Sequence, residues 1–575
     1  MALSNDMSPV QRLFGLLKVN QQEITSIYIY AIFNGLINLS LPLGIQAIIN
    51  LISGGQMSLS WALLVTFVIL GILFTGILQV MQLHISENIQ QRIFTFSAFE
   101  FAHRLPRMRY QETDHYYMPE IVNRFFDTLN IQKGLPKIVI DFSTASLQII
   151  FGLILLSFYH PFFIVFSFLL ILVVFLILRL TGPRGLQTSL QESKYKYQVV
   201  HWLEELGRTM ATFKLAGDTR LPMQKTDVLV TGYLKARKAH FKVLIFQFIN
   251  LVGFKVMVTT GFLILGGSLV IEQRMNVGQF VAAEIIILLI FSSVEKLITS
   301  LETIYDVLTG LEKLGFVSDF PLEKSEGLSY VNKEGHPGME VNIKDLSFRF
   351  DNQSKDVLKN INLHIRPGEK ICLSGTSGSG KSVLIRMLGA VYDDYSGSIS
   401  YDRLPMGNYN IEHLRSHIGD LMSNELIFQG TLEENITAGR RWITFEEVKK
   451  TADIVGLTSF VEQLPEGYRT LLDPHGRRLP RSIATKILIA RCFAGRPSLV
   501  LIDDLLNIFD GEDRLHIEEL IFNPPCPCTI VMTTRDKNLL PRFNRLVILQ
   551  EGEIAFDGKV GEGEKLPVFK KIFRD

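Results

Sequence analysis

Six apolar runs, at roughly 24–52, 61–83, 138–159, 161–181, 243–271 and 279–300, dominate the first half of the chain. Each approaches or exceeds the about 20 residues that cross a bilayer as a helix. Helices buried in a water-soluble core would carry polar positions at 3.6-residue spacing, and Leu153–Leu156, Phe162–Leu178 and Ile285–Ile290 carry none. The pattern predicts six membrane helices. Segments 84–135 and 183–242 keep a helical spacing of apolar residues, so the membrane helices are expected to run well beyond the bilayer. Turns around Met118–Asn130 and Phe213–Leu221 would cap these hairpins and offer contact points to the second half of the chain. Residues 8–20 read as a short amphipathic helix lying at the membrane surface.

After a mixed, charged stretch at 313–338 the pattern changes. Val341–Phe350 alternates like a strand, Lys370–Leu373 and Leu499–Asp503 read as buried strands, and Val383–Leu388 reads as a helix. The fold class that follows is multi-domain. An all-α six-helix transmembrane domain occupies 1–312, 313–338 forms a linker, and an α/β domain occupies 339–575.

Charge then orients the first half. The connections near 53–60 and at 160–161 carry no Lys or Arg, and 271–278 has only Arg274, whereas 84–137 and 183–242 are rich in both. The positive-inside rule places the long connections and both termini in the cytoplasm. A net charge of +1 gives no sign of a nucleic-acid partner. All four cysteines lie in the second half, as suits a reducing compartment. Cys526-Pro-Cys528 is too short and isolated for a zinc site and is read as structural.

The chemistry concentrates at Gly375-Thr376-Ser377-Gly378-Ser379-Gly380-Lys381-Ser382, a complete phosphate-binding loop between a strand and a helix. Its glycines let backbone N–H groups wrap phosphates, and the helix N-terminus adds its dipole. Lys381 would sit between the β- and γ-phosphates of ATP, with the Ser382 hydroxyl on Mg²⁺. Asp503, at the end of its strand, is the second Mg²⁺-side group.

Together with the six spans and two long hairpins, these residues resemble the exporter class of ATP-binding cassette (ABC) transporters over nearly the whole chain. Landmarks are Leu414–Gly419, Phe428–Ile436 and Ile489-Ala490-Arg491. The first half is most similar to the transporter subunits of bacterial type 1 secretion systems, notably at Ala102-His103-Arg104-Leu105-Pro106. The resemblance implies that Phe350 stacks on adenine, where Phe keeps the π-face of the usual Tyr.

Four positions depart from the family pattern. Ser423 aligns with the Gln that reaches Mg²⁺ and the attacking water, and is too short for both. Leu479-Pro480-Arg481-Ser482-Ile483 aligns with the Leu-Ser-Gly-Gly-Gln signature, losing a hydroxyl and two glycines. Pro480 suits a first helical turn; Arg481 either replaces some phosphate contact or holds the interface open. Asp504 replaces the general-base Glu, leaving its carboxylate about 1.5 Å short, a misplacement costing on the order of a hundredfold in rate. Thr534 replaces the switch His. The resemblance thus implies a catalytically degenerate domain that binds ATP and hydrolyses it poorly.

These cassettes work as dimers, so a second half-transporter is the expected partner, with a heterodimer favoured over a homodimer. The implied function is ATP-dependent export across the bacterial inner membrane. A polypeptide cargo, a periplasmic adaptor and an outer-membrane channel come from the family likeness, with a lipid or small amphiphile as the other cargo class. A non-cycling ATP-binding regulatory or structural membrane protein is the alternative. Within the spans, Lys255, Glu284 and Glu295 are candidates for a substrate path. At about 1.5 Å per residue, Lys255 and Glu295 lie about 24 and 27 Å below the outer turn and are placed to pair. Glu284, about 10 Å deep, has no obvious partner. Asn34, Asn38 and Gln46 fall on or near one face of the first span, and the two Asn residues read as helix-packing groups.

Overall fold

The computed structural model describes residues 7–53, 59–113, 116–159, 161–331, 337–350, 354–422, 426–503 and 505–573. The chain forms two compact units: Met1–Arg107 with His115–Phe320, and Met108–Asp114 with Pro321–Asp575.

The first unit is helical. A short helix, Pro9–Val19, opens with a capping box in which Ser8 and Gln11 bond each other's backbone N–H. Arg12 on this helix is 5% exposed and forks onto Asp319, so one cationic group of the amphipathic stretch is an internal anchor. Six long helices follow: Gln21–Ser53, Leu59–Arg104, Asp127–Ser157, Phe162–Arg208, Leu221–Ile271 and Val277–Ser318. Among the described residues these six are long and apolar enough to cross a membrane. The second and fourth expose apolar residues, with Phe67 at 69% and Phe168 at 73%, as a lipid-facing surface requires. The third and sixth pack closely because small residues meet large ones: a Cβ on Gly152 would press Ile290 at 3.0 Å, and one on Gly134 would overlap Val307. Four helices share a core of Leu153, Phe163, Phe254, Ile286 and Phe291. A second core joins Ile27, Ile89, Ile131 and Val307.

Two expectations shift. The second hairpin reverses between Arg208 and Leu221, and a short helix, Met210–Leu215, takes up the start of the turn expected at Phe213–Leu221. In the first hairpin, however, Met118–Asn123 and Arg124–Phe126 stay with the helical unit, and the piece that joins the second unit is Met108–Asp114. There the backbone of Met108 bridges Leu322, Arg109 pairs with Asp393 at 3.2 Å, and the Tyr110 ring packs edge-on to Tyr392 at 5.8 Å. The 313–338 stretch is also less of a spacer than its charge suggests. Leu311, Gly315 and Val317 continue the buried face of the sixth helix, so the helix runs to Ser318. Beyond it, Glu323 takes a bidentate ion pair from Arg415, and Leu328 bridges Tyr409.

The second unit has an antiparallel sheet and a mostly parallel one. Its strands are β1 (Val341–Phe348), β2 (Leu358–Ile365), β3 (Lys370–Gly375), β4 (Ser396–Tyr401), β5 (Leu404–Pro405), β6 (Ile418–Leu421), β7 (Gly430–Thr431), β8 (Leu471–Leu472), β9 (Leu499–Asp503), β10 (Thr529–Thr533), β11 (Arg545–Gln550) and β12 (Glu553–Gly558). The first sheet runs β2-β1-β4-β5 and the second β12-β11-β3-β10-β9-β6. β11, β3, β10, β9 and β6 are parallel and almost wholly buried, with helices between them in the chain. Open parallel sheets bind ligands beyond the carboxyl ends of their strands. The loop after β3, the end of β9 and the end of β10 all fall at that edge.

Candidate functional site

β10 lies between β3 and β9, with Thr533 in register with Leu373 on one side and Asp503 on the other. That register aligns the phosphate loop, Thr533-Thr534 and Asp503 along one sheet edge. The loop leaves β3 at Gly375 (φ +154°), where a Cβ would collide with the Leu549 carbonyl, so only glycine fits there. Gly380 (φ +97°) caps the helix Lys381–Leu388, and a Cβ on it would lie 2.9 Å from Val357 O. Lys381 Nζ folds back across the loop, donating to Gly375 O at 3.0 Å and Thr376 O at 2.8 Å, with Ser379 Oγ at 3.4 Å. Ser379 is buried beneath it, while Ser377, Gly378 and Ser382 are exposed. A Cβ on Gly378 would meet nothing within 4 Å, so the mouth of the cradle is open.

The carboxylate side is equally ordered. Thr533 Oγ1 donates to Asp503 Oδ1 at 2.5 Å, and Ser374 Oγ ties β3 to Thr534 O at 2.8 Å. An ammonium at the loop, an exposed hydroxyl in the first helical turn and a positioned carboxylate across the edge are the donor set of a magnesium–nucleoside triphosphate site. The residues present fit that pair. Cys372, one strand residue away from Leu373, plays no part, since burial pushes its thiol up to about 12. Phe350 packs edge-on against Phe348 at 5.0 Å and Tyr392 at 6.0 Å, with its ring half-buried near the β1–β2 turn.

Thr534 turns inward. Its side chain is 2% exposed, and Oγ1 accepts the N–H of Asp536 at 3.1 Å. Asp536 in turn caps Asn538 N and pairs with Arg514. Ser423 and Asp504 lie outside the described residues. Leu479-Pro480-Arg481-Ser482-Ile483 straddles the start of the helix Arg481–Ala494. Pro480 is its N-cap (φ −54°, ψ 142°), one position before the first helical turn that the sequence suggested, and gives no side-chain cap. Arg481 is exposed and Ser482 and Ile483 are half-buried. Arg481 and Asp503 share the wall of a cavity of about 330 Å³ with His475, Thr485 and Ile508.

In the helical unit, Lys255 Nζ lies 2.5 Å from Glu295 Oε2, and Glu284 is exposed. A second ion pair is nearly silent in the sequence: Lys296 Nζ to Asp141 Oδ1 at 2.9 Å, with Ser300 Oγ on Asp141 Oδ2 at 3.3 Å. Asp141 interrupts the third apolar run, which was its only signal. Counted from the outer turns, all four charges lie about 24–29 Å deep, in one layer. Gln46 accepts from Tyr159 OH at 2.6 Å, and Asn38 donates to Asn34 at 2.9 Å. The Phe428–Ile436 and Ile489-Ala490-Arg491 landmarks meet in space. Arg491 donates to Asn435 O at 2.7 Å, and the buried Asn435 side chain closes on Phe428 and Thr431.

Comparisons with known proteins agree with this geometry. The model described as the ABC transporter transmembrane region matches residues 24–294, and the ABC transporter model matches 358–507. The chain is 25% identical over 301 residues to the uncharacterized ABC transporter ATP-binding protein y4gM of Sinorhizobium fredii, covering 52% of this chain and 51% of that one. It is 27% identical over 313 residues to the alpha-hemolysin translocation ATP-binding protein HlyB of Escherichia coli O157:H7, covering 54% and 44%. Identity to the leukotoxin translocation ATP-binding protein LktB of Mannheimia haemolytica is 27% over 297 residues, covering 51% and 41%. The chain thus spans about half the length of the curated relatives it matches. Among solved structures, a bacterial Atm1-family ABC exporter with ATP bound superposes with a TM-score of 0.84 at 16% identity, covering 95% of this chain and 96% of that one, a likeness of fold.

Proposed function

Because the chain carries both the transmembrane region and the ATP-binding domain of the ABC transporters it belongs to that family, and we propose that it is one half of a dimeric exporter that holds ATP firmly and hydrolyses it poorly. ATP and Mg²⁺ are the cofactors of this family's ATP-binding domain. The observation that carries the reading is the pairing of an ordered, open phosphate cradle with an inward-turned Thr534. Lys381 is poised to exchange the Gly375 and Thr376 carbonyls for phosphate oxygens. Bound Mg²⁺ would neutralise phosphate charge, held by Ser382 and Asp503. Thr534 is 2% exposed, its Oγ1 accepts the Asp536 N–H, and it lacks the imidazole that would bridge to the terminal phosphate. With the carboxylate of Asp504 one methylene shorter than Glu, binding groups are complete and hydrolytic groups are not.

In a dimer each ATP would lie between this loop and a partner's signature segment, while Leu479–Ile483 faces the partner's ATP. Two such chains would give two weak sites, which favours a consensus second half-transporter. The relatives named for alpha-hemolysin and leukotoxin translocation support a polypeptide cargo. On that reading a periplasmic adaptor and an outer-membrane channel complete the path, and the protein sits in the bacterial inner membrane with both termini cytoplasmic. Lys255, Glu284 and Glu295, joined by Asp141 and Lys296, are the polar groups proposed to line the membrane route.

The test is nucleotide binding against turnover for the purified chain in nanodiscs, with the trapped nucleotide identified. Tight binding of unhydrolysed ATP is the expected result; turnover at ordinary transporter rates would refute the reading. Substrate-dependent ATPase in a reconstituted pair separates an exporter from a non-cycling regulator, which would stay inert.

A further inference from the structure

Outside the nucleotide site, the helical unit holds a cavity of about 440 Å³ whose charge is unbalanced. Arg124, Lys194, Lys225 and Lys313 reach it from four separate elements: the turn Arg124–Phe126 and the helices Phe162–Arg208, Leu221–Ile271 and Val277–Ser318. Two carboxylates also line it, leaving an excess of two positive charges before His201 is counted. Both carboxylates are engaged. Glu120 lies 3.8 Å from Arg124 and 3.6 Å from His201 Nδ1, and Glu205 is forked by Arg208 at 2.7 and 3.0 Å. Asp127, behind the cavity wall, is held by Tyr197 OH at 2.5 Å and by Lys196 at 3.4 Å.

Among the described residues, no carboxylate lies within ion-pair distance of Lys194, Lys225 or Lys313. Lys225 Nζ instead sits 4.0 Å over the Trp202 ring, and Lys313 Nζ 5.7 Å from the Tyr197 ring centre. Arg124 stacks at 3.9 Å on Phe316, and its Nε, like His201 Nδ1, is buried without a hydrogen-bond partner. Like charges from four elements gathered round one concavity repel each other unless an anion offsets them. From the ends of the apolar runs, these four residues stand about 20–27 Å beyond the bilayer at 1.5 Å per residue. That distance puts the cavity out of reach of lipid headgroups and within reach of solutes. Lysine ammonium groups act as point charges suited to phosphate, and one guanidinium adds a directed donor.

We propose that this cavity is a binding site for a small, soluble, multivalent phosphate-bearing anion, which ties the four elements together. The inference stands apart from the hydrolysis reading and needs neither a degenerate cassette nor a particular cargo.

The experiment uses the full chain carrying Lys381→Ala, which weakens the phosphate loop as a competing anion site, in phosphatidylcholine nanodiscs. Binding of radiolabelled pyrophosphate is measured by equilibrium dialysis. Saturable binding is expected, weakening as salt rises and at least tenfold weaker in the Lys194→Gln/Lys313→Met double variant. Should that variant misfold by size exclusion, Lys225→Gln, at an exposed position, takes its place with the same expectation. Absence of binding at millimolar pyrophosphate, or binding indifferent to these substitutions, would overturn the site. Competition by phosphatidylglycerol nanodiscs would overturn the soluble source, and equal displacement by citrate would overturn the preference for phosphate.

Discussion

Replacing Lys381 with alanine tests the nucleotide site at its most defined point. In the loop, Lys381 Nζ makes two good hydrogen bonds, at 3.0 Å to Gly375 O and 2.8 Å to Thr376 O. Binding ATP trades these for charge-assisted contacts to phosphate. Bonds from the ammonium to neutral carbonyls are worth about 1.5 kcal/mol each in net terms, the low end for a charged group, and its contacts with anionic phosphate oxygens about 2–3 kcal/mol each. With two phosphates bridged, the difference favours the bound state by about 1–3 kcal/mol. At 1.36 kcal/mol per decade, the variant should bind ATP about 5- to 150-fold more weakly. The carbonyls are also left without their ammonium, so the unliganded cassette should lose about 1–2 kcal/mol of stability. Isothermal titration of the purified chain with Mg-ATP measures the first effect, and denaturant unfolding of the cassette without nucleotide the second. An affinity within twofold of the parent, with the chain folded, would refute the assignment of Lys381 to phosphate.

Restoring the missing groups with Asp504→Glu and Thr534→His together should raise phosphate release from the reconstituted pair by at least tenfold, given that misplacement by about 1 Å costs on the order of a hundredfold. An unchanged rate would mean that the loss lies elsewhere, at Ser423 or the signature segment. Asp141→Ala removes the acceptor for both Lys296 and Ser300. It should lower helical-unit stability by about 1–3 kcal/mol, as when the acceptor of a buried hydroxyl and of a half-exposed ammonium is deleted, visible as a lower melting temperature in nanodiscs. Asp141→Ala combined with Lys296→Met should recover much of the loss, and no recovery would mean that the pair is not coupled.

The reading from sequence succeeded where one residue type is forced by local geometry. Gly375 and Gly380 sit at backbone positions that exclude a side chain, and apolar runs without polar faces admit few environments besides lipid. It stopped where the answer depends on how helices are rotated. Asp141 and Lys296 are 155 positions apart, and nothing in either neighbourhood announces that they meet. The inward turn of Thr534 was equally hidden, because it depends on the Asp536 N–H two residues on. The 108–114 segment is polar, short and unremarkable in composition, so its membership of the second unit follows from tertiary contacts such as Tyr110 with Tyr392.

That membership has a consequence for biogenesis. The ATP-binding unit is assembled from two stretches separated in the chain by the whole of residues 115–320. At synthesis rates of about 5–20 residues per second, roughly 10–40 s pass between emergence of Tyr110 and arrival of residue 321 at the ribosome. During that interval the early stretch waits, unpaired, while four of the six long helices are inserted. A cassette expressed from residue 321 onward lacks Arg109 against Asp393 and Tyr110 against Tyr392, and so begins life with an unfilled notch on its surface. Completion of the nucleotide unit therefore reports on successful insertion of the helices made before it, a built-in order of assembly.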